Sequence, residues 1–323
     1  MGAMTLLVTG AGGFIGRRTV EAALARGHKV RALVRQSCAP FAGMPDVECI
    51  AFDLGRDNGA LTKAFKDVDA VIHCAAALGG DDAAMERDTL APTRSLIQAM
   101  STTAPMPRLV LVGSIAVHDA DALPENALID ENGPLEHAPD ARDAYTRAKL
   151  AQEEMLQGAG LSGWIARPGA VYGPGRLWNA HLGPRLGPLL VRLGDAGQIP
   201  LVAVESCAEA LVLAAETNPP GPGLQPVILV DDDLPDRARF LSALGPKAPA
   251  IVVPLSWRFL DRLATGLSRV PGLATRLPGL LRPRPLRARM RPARYSNAHA
   301  KAVLGWTPTR FDQGMRDALE ARA

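Results

Sequence analysis

The stretch "VTGAGGFIG", Val8–Gly16, stands almost at the start of the chain and restricts its fold more than any other feature. Before it, "TLLVTG" is a short apolar run rich in β-formers. After it, "FIGRRTVEAALARG" puts Ile15, Val20, Ala23 and Leu24 on or near one helical face and stops at Gly27. Strand, glycine turn and helix in that order open a parallel α/β unit. Gly10 permits the tight turn, Gly13 lets backbone N–H groups approach a pyrophosphate at the positive helix end, and Gly16 lets helix and strand pack closely. Phe14 and Ile15 belong to the same turn. Glycines alone are ordinary turn-formers, but here a second strand, "HKVRALVR", follows at the proper distance. The unit reads as a dinucleotide site.

The end of the second strand bears on which dinucleotide. NAD sites usually carry Asp or Glu there, accepting from the ribose hydroxyls. This chain has Val34 and then Arg35. A guanidinium fits a 2′-phosphate bidentately, so NADP is expected over NAD; the bland alternative is a solvated arginine at a strand end. The alternation continues with "VECIAFDL" as a third strand, "GALTKAFKDV" as a helix and "DAVIHCAAA" as a fourth strand. A helix over 82–100 then leads into "RLVLVGS". The expected fold class is α/β, a doubly wound parallel sheet of the Rossmann kind with a smaller C-terminal substrate lobe. Asp53 ends the third strand, with Leu54 beside it, and is placed to accept from an adenine amino group. Small Ala75 and Ala76 leave room for the cofactor.

Two later segments carry chemistry. "VLVGSIAVH" puts Ser114 just past the fifth strand, at the carboxyl edge where ligands of such sheets bind. "DAYTRAKLAQEEML" is helical, and its Tyr145 and Lys149 lie one turn apart on one face. Phenol is a poor base near neutrality, with an unperturbed pKa of about 10. A neighbouring ammonium and an oxidised nicotinamide both favour phenolate, which would fit Tyr145 for acid/base work. A Tyr and a Lys at this spacing arise by chance in many helices; behind a dinucleotide turn and a strand-end serine they form a set.

With these motifs in place, the chain resembles the extended short-chain dehydrogenases/reductases, a group spanning sugar epimerases and dehydratases, 3β-hydroxysteroid dehydrogenases and dihydroflavonol-reductase-like enzymes. The likeness runs through "TGAGGFIG", "FDL", "HCAA", "GSIAVH", "YTRAK", "RPGAVYGPG", "VAVESCAEALVLA" and "YSNAHAKAVLGWTP". It implies a catalytic set of Ser114, Tyr145 and Lys149. Tyr145 would be the acid/base, and Lys149 would bind the nicotinamide ribose and lower the tyrosine's pKa. Pro168 would join the cofactor contacts. The resemblance also implies a homodimer through helices near 82–100 and 142–158. Departures matter: Thr89 stands where the family often has Asn, "VES" replaces "VDD", and Ala116 adds no second hydroxyl. Ala170 occupies the place of an Asn that grips nucleotide phosphates in the sugar-nucleotide members.

That alanine and Arg35 favour an NADP(H)-dependent oxidoreductase acting on a small or apolar ketone or alcohol. The alternative is a nucleoside-diphosphate-sugar epimerase or dehydratase with tightly bound NAD. A silent dinucleotide sensor is a third reading, disfavoured by the presence of both Tyr145 and Lys149. Net charge is only +3, so no global field points to nucleic acid. Yet Arg258–Arg294 holds ten Arg and one Asp. Guanidiniums there could bind an anionic handle. Just before the densest part, Trp257, Leu260, Leu263, Ala264 and Leu267 fall at helical spacing. Such a helix either covers a core or lies on a membrane surface, and a weak membrane contact through about 256–294 stays open.

Cys38, Cys49, Cys74 and Cys207 match neither a disulfide framework nor a zinc site, so reduced thiols, no metal and a cytoplasmic setting are expected. No apolar run reaches a membrane span. Met1–Ala3 resembles a cloning remnant and is set aside. The nucleotide lobe is expected over 4–168, with 200–231 packing back onto it, and the substrate lobe over about 169–199 and 232–323.

Overall fold

The computed structural model describes residues 2–56, 61–194, 196–270 and 279–321. The glycine turn joins β1 (Thr5–Thr9) to α1 (Phe14–Ala25), and the chain continues through β2 (Lys29–Val34), β3 (Val47–Ala51), α2 (Leu61–Ala64) and β4 (Ala70–His73). Then come α3 (Asp82–Met85), α4 (Ala91–Ser101), β5 (Arg108–Val112), β6 (Leu128–Ile129), α5 (Ala144–Gly158), β7 (Gly163–Pro168) and β8 (Ala170–Tyr172). The rest comprises β9 (Arg185–Leu186), β10 (Leu189–Leu193), β11 (Leu201–Ala203), α6 (Val204–Glu216), β12 (Leu224–Leu229), α7 (Arg237–Ala243) and β13 (Ile251–Leu255). It closes with α8 (Trp257–Ser268), α9 (Pro283–Met290), β14 (Arg294–Tyr295), α10 (Ala298–Leu304) and α11 (Phe311–Glu320).

Seven strands form one parallel sheet in the order β12-β7-β5-β4-β1-β2-β3, the doubly wound Rossmann arrangement. Its central strands are apolar without alternation because both faces are covered. Leu6 and Val8 face the layer shared with α1 and α6, whereas Leu7 faces the layer with Phe65, Leu96 and Leu156. Gly163 sits at φ +145, where a Cβ would come within 1.8 Å of the Leu109 carbonyl oxygen, so β7 approaches β5 only as glycine. The helix expected over 82–100 is interrupted by a π turn at Glu86–Leu90. Pro92, in the first turn of α4, has no N–H to continue the preceding ladder, and the wider turn absorbs the defect. The helix expected in "GALTKAFKDV" is seen at Leu61–Ala64, with 57–60 outside the described residues.

The expectation of four reduced thiols is corrected. Cys38 and Cys49 form a disulfide with Cα atoms 5.7 Å apart; Cys74 and Cys207 are free. Parallel pairing of β2 with β3 returns the chain beside the loop that carries Cys38, an approach invisible in cysteine spacing. Among the described residues no helix is long and apolar enough to cross a membrane.

Beyond the carboxyl end of the sheet, a third apolar cluster unites Tyr172, Leu201, Phe240, Phe311 and Met315. A three-stranded sheet, β13-β10-β9, and helices α7–α9 and α11 build this region with the pairs β8–β11 and β6–β14. The cluster holds one buried carboxyl. Asp231 accepts from Tyr172 Oη at 2.8 Å and from the Ala203 N–H at 3.0 Å, joining the end of β12 to β8 and β11. Burial pushes Asp231 up to about 7, outweighing the hydrogen bonds from Ala203 and Tyr172.

A carboxyl raised in the fold binds its proton more tightly there than in the unfolded chain. Its stabilising contribution is therefore complete below the ordinary value of 3.8 and is lost as pH rises through about 7. At about 1.4 kcal/mol per unit, this displacement corresponds to a loss on the order of 4 kcal/mol across that window. Denaturant unfolding at a series of pH values should show the decline, and Asp231→Asn should flatten it. An unchanged slope in the variant would remove Asp231 as its source.

Candidate active site

Sheet order places the carboxyl ends of β1, β4, β5 and β7 side by side, and a cleft of about 500 Å³ opens across them. Gly10, Gly13, Phe14, Ile15, Gly16, Ala76, Ser114, Tyr145, Lys149 and Pro168 all line it. On one wall the glycine turn folds back through Gly13 N–H to the Gly10 carbonyl at 2.9 Å. Gly13 caps α1 without a side chain, leaving the helix's first N–H groups to an external acceptor. A Cβ at Gly16 would lie 2.2 Å from the Gly10 oxygen, and one at Gly10 would lie 2.8 Å from the Ala75 nitrogen. The turn thus fits the pyrophosphate of a dinucleotide. Arg176 stacks over the Phe14 ring at 5.0 Å and adds a cation beside it.

Arg35, Asp53, Leu54 and Ala75 do not line this cavity. Ala75 backs Gly10, and Leu54 turns into the core with Phe65 and Leu96. Asp53 accepts from the Gly55 N–H at 3.1 Å. Arg35 projects at the end of β2, 58% exposed, with Asp88 at 3.1 Å. Arg35 follows β2, and Asp53 and Leu54 follow β3, the strands on the β1 side that end the sheet; Ala75 follows β4.

The opposite wall carries the polar trio. Ser114 follows β5, accepts from the Ala116 N–H at 3.2 Å and shares a side-chain hydrogen bond with Tyr145. Tyr145 lies in the first turn of α5, which Asp143 caps through the Thr146 N–H at 3.0 Å. Burial raises the phenol, and the bond to Ser114 offsets this only in part. The expected lowering of its pKa is therefore not a property of the protein alone. Lys149, on the same helix, is 3% exposed. Burial depresses its ammonium to about 8, opposed by the charges of Glu153 and Cys74.

Lys149 Nζ donates to the Val112 carbonyl at 2.8 Å and to Gln152 Oε1 at 2.9 Å. Gln152 Nε2 in turn donates to Thr93 Oγ1 at 2.8 Å, whose own hydroxyl donates to the Thr89 carbonyl. Thr93 Oγ1 must then accept from His73 Nε2, 3.3 Å away, which leaves His73 Nδ1 to accept from Thr9 Oγ1 at 2.7 Å. Burial, then the Lys149 charge, holds His73 near about 3, so it is neutral. A buried chain of side chains thus runs from the ammonium to β1. Thr89, at the position of the missing Asn, accepts from the Ala77 N–H at 3.0 Å and orders the strand end. Gln152 was not foreseen; its place three residues after Lys149 on one helix is the signal that could have found it.

The arginine-rich segment is largely neutralised inward. On α9, Arg284 bonds Glu136 (Nε, 2.9 Å) and Asp119 (2.8 Å), Arg287 bonds Asp261 (2.7 Å), and Arg289 bonds Asp143 (3.1 Å). Arg291 reaches Asp121 at 3.3 Å. Burial pushes Glu136 up, but its bonds from Arg284 and Arg142 win and hold it near about 2. Asp119, Glu136 and His137 are grouped closely enough to hold a metal ion, but the Arg284 guanidinium occupies their centre. These pairs fix α9 over the cleft, where Ala288 and Arg289 join its lining with Ile115, Ala116, Ile129, Trp178 and Tyr295. Arg276 lies outside the described residues. The loop residues Trp178 and Asn179 carry no periodic signal and were not anticipated.

The sheet, the glycine cradle and the facing Ser-Tyr-Lys trio define a nicotinamide-dinucleotide enzyme of the short-chain dehydrogenase type. The chain belongs to the NAD dependent epimerase/dehydratase family, whose profile matches residues 6–223. It is 31% identical over 98% of its length, and 99% of the relative's, to a 3-diazoavenalumate denitrifying reductase of Streptomyces sp. It is 29% identical over 83% of both chains to a 2-alkyl-3-oxoalkanoate reductase of Stenotrophomonas maltophilia (strain K279a). The structure of MoeE5 in complex with UDP-glucose and NAD superposes with a TM-score of 0.71 at 21% identity, covering 98% of this chain and 97% of that one. Relatives thus span a reductase of 2-alkyl-3-oxoalkanoates and enzymes of sugar nucleotides, and the chain is an NAD(P)-dependent oxidoreductase or epimerase.

Replacing Gln152 by Leu should leave a buried ammonium with one acceptor and cost about 1–3 kcal/mol in urea unfolding. Gln152→Glu should restore that stability and raise the Lys149 pKa. Equal stability of wild type and Gln152→Leu would show that the chain of side chains does not hold Lys149.

Proposed function

We propose that this protein is an NADPH-dependent ketone reductase, or the reverse alcohol dehydrogenase, acting on a non-nucleotide and largely apolar substrate. The observation that carries this reading is the substrate side of the cleft. Its wall is Ile115, Ala116, Ala120, Ile129, Leu177, Trp178 and Ala288, with Ala170 where a phosphate-gripping amide would serve a sugar nucleotide. The three arginines in its lining are otherwise engaged: Arg142 with Glu136, Arg289 with Asp143, and Arg176 over Phe14 beside the glycine turn. The 2-alkyl-3-oxoalkanoate reductase supports a non-nucleotide ketone, its substrate being an alkyl chain with a keto group and a carboxylate. The sugar-nucleotide reading draws on the UDP-glucose complex, a likeness of fold at 21% identity, and on relatives that act on dTDP-sugars; the apolar wall and Ala170 weigh against it.

A nicotinamide dinucleotide held by the glycine turn would, when bound, supply or accept the hydride. The chain's own residues handle the oxygen and its proton. Ser114, already bonded to Tyr145, orients the substrate oxygen, and Tyr145 Oη gives it a proton in reduction or takes one in oxidation. Lys149, one helical turn away, is a positive charge that stabilises the phenolate against the burial that otherwise raises Tyr145. NADP is favoured over NAD because β2 ends in Val34 and Arg35, a cation where NAD sites carry an acid on the strand itself. In this reading the 2′-phosphate displaces Asp88 as the partner of Arg35.

Fluorescence titration should show NADPH binding at least about tenfold tighter than NADH, about 1.4 kcal/mol. Arg35→Ala should erase the difference by weakening NADPH alone. Equal affinities in the wild type would overturn the NADP assignment.

Turnover with NADPH on a panel of apolar ketones should fall by about a hundredfold or more in Tyr145→Phe, with cofactor affinity preserved. Substantial residual activity in that variant would remove Tyr145 as the proton donor.

A further inference from the structure

The neutralised arginines of α9 leave a question about the rest of the basic segment. On α8, Leu260 and Ala264 face inward against Leu286 and Met290. The outer face divides into two stripes. Phe259 (59% exposed) and Leu263 (45%) lie one turn apart, with Val270 (48%) just past the helix end, forming an apolar stripe. Arg258, Arg262 and Arg269 form a second stripe beside it at spacings of four and seven. Arg258 bonds Glu125, whereas Arg262 and Arg269 carry no ion pair among the described residues. Strand β13 enters α8 through Ser256 and adds exposed Ile251, Val252 and Val253 at the open edge of its sheet.

This surface continues to the mouth of the cleft. β13 pairs with β10, and β10 with β9, whose Leu186 is 70% exposed. Arg185 of β9 stacks over Trp178 at 4.9 Å, and Trp178 is both a lining residue of the cleft and partly exposed.

From this arrangement we infer that the face formed by β9, β13 and α8 is a docking surface for an anionic membrane, and that it brings the cleft mouth to the lipid interface. A lipid surface fits on two counts. Scattered apolar groups on a monomer need no partner, but a stripe of Phe and Leu beside an edge strand of Ile and Val is an extended apolar face. The charges bordering it are guanidiniums, complementary to anionic headgroups, and the one acid of α8, Asp261, is turned away into its pair with Arg287. A second copy of the chain would instead set these arginines against their own kind. The inference concerns a surface and stands apart from the reading of the cleft's chemistry.

The test is sedimentation with phosphatidylcholine vesicles with and without a minor fraction of phosphatidylglycerol, using the whole chain. The protein should pellet with the anionic vesicles, less so as salt is raised, and weakly with the neutral ones. Phe259→Ser with Leu263→Ser, and separately Arg262→Glu with Arg269→Glu, should each reduce partitioning by about tenfold or more. Both variants should keep the wild-type circular dichroism and thermal midpoint, since every substituted residue is exposed. No binding to anionic vesicles, or undiminished binding by both variants, would overturn the proposal. So would a wild-type dimer that either variant converts to monomer in sedimentation velocity, since the face would then belong to a second copy.

Discussion

Helix α5 carries both Tyr145 and Lys149, and two buried charges hold it to the sheet. Glu153 and Arg167 form a bidentate pair at 3.1 and 2.7 Å, each less than 5% exposed, joining the helix to β7. One turn earlier, the Lys149 ammonium donates to the last carbonyl of β5. Such pairs contribute little net stability against an apolar replacement, yet removal of one partner strands the other in a dry interior at about 3–5 kcal/mol. That asymmetry gives the helix one registry against β5 and β7. Ser114, at the end of β5, can meet Tyr145 only in that registry. Position, more than stability, is what these charges supply.

The same logic at larger scale explains the arginine-rich segment. Read alone, its charge density invites an anionic ligand, a membrane or nucleic acid. In the fold, Asp119, Asp121, Glu136 and Asp143, all from the stretch between β5 and α5, meet Arg284, Arg287, Arg289 and Arg291. A chain poor in aromatics thus closes its substrate cleft with a helix held mainly by ion pairs, and Leu286 and Met290 supply the apolar contact beneath it. A positive charge read from sequence says nothing of its counter-charge when that lies some 150 residues away. On and just past α8 the pattern changes: Arg258 still meets Glu125 of that stretch, whereas Arg262 and Arg269 carry no ion pair among the described residues.

What was legible in the sequence followed from local pattern. The strands of the nucleotide half, the glycine turn and the face shared by Tyr145 and Lys149 are all set by short-range periodicity and by where glycine is tolerated. The polar chain behind Lys149 was not legible, because it joins β1, β4, α4 and α5 through Thr9, His73, Thr93 and Gln152. The Cys38–Cys49 pairing was hidden for a like reason: it depends on the register of β2 against β3. The π turn before Pro92 was signalled by the proline but overridden by the length of the apolar pattern around it.

The departures from the family pattern fit together once these contacts are known. Where an Asn is absent at Thr89, the Lys149 ammonium finds a side-chain acceptor on its own helix in Gln152. Thr89 accepts from the Ala77 N–H and so orders the chain after β4. The ammonium is then satisfied on the side facing the core, and burial leaves it at about 8. An ammonium so poised gives up its proton more readily if its acceptors are lost. The dry pocket behind Lys149, with acceptors from β5 and from its own helix, therefore fixes where that ammonium stands on the cleft side of α5.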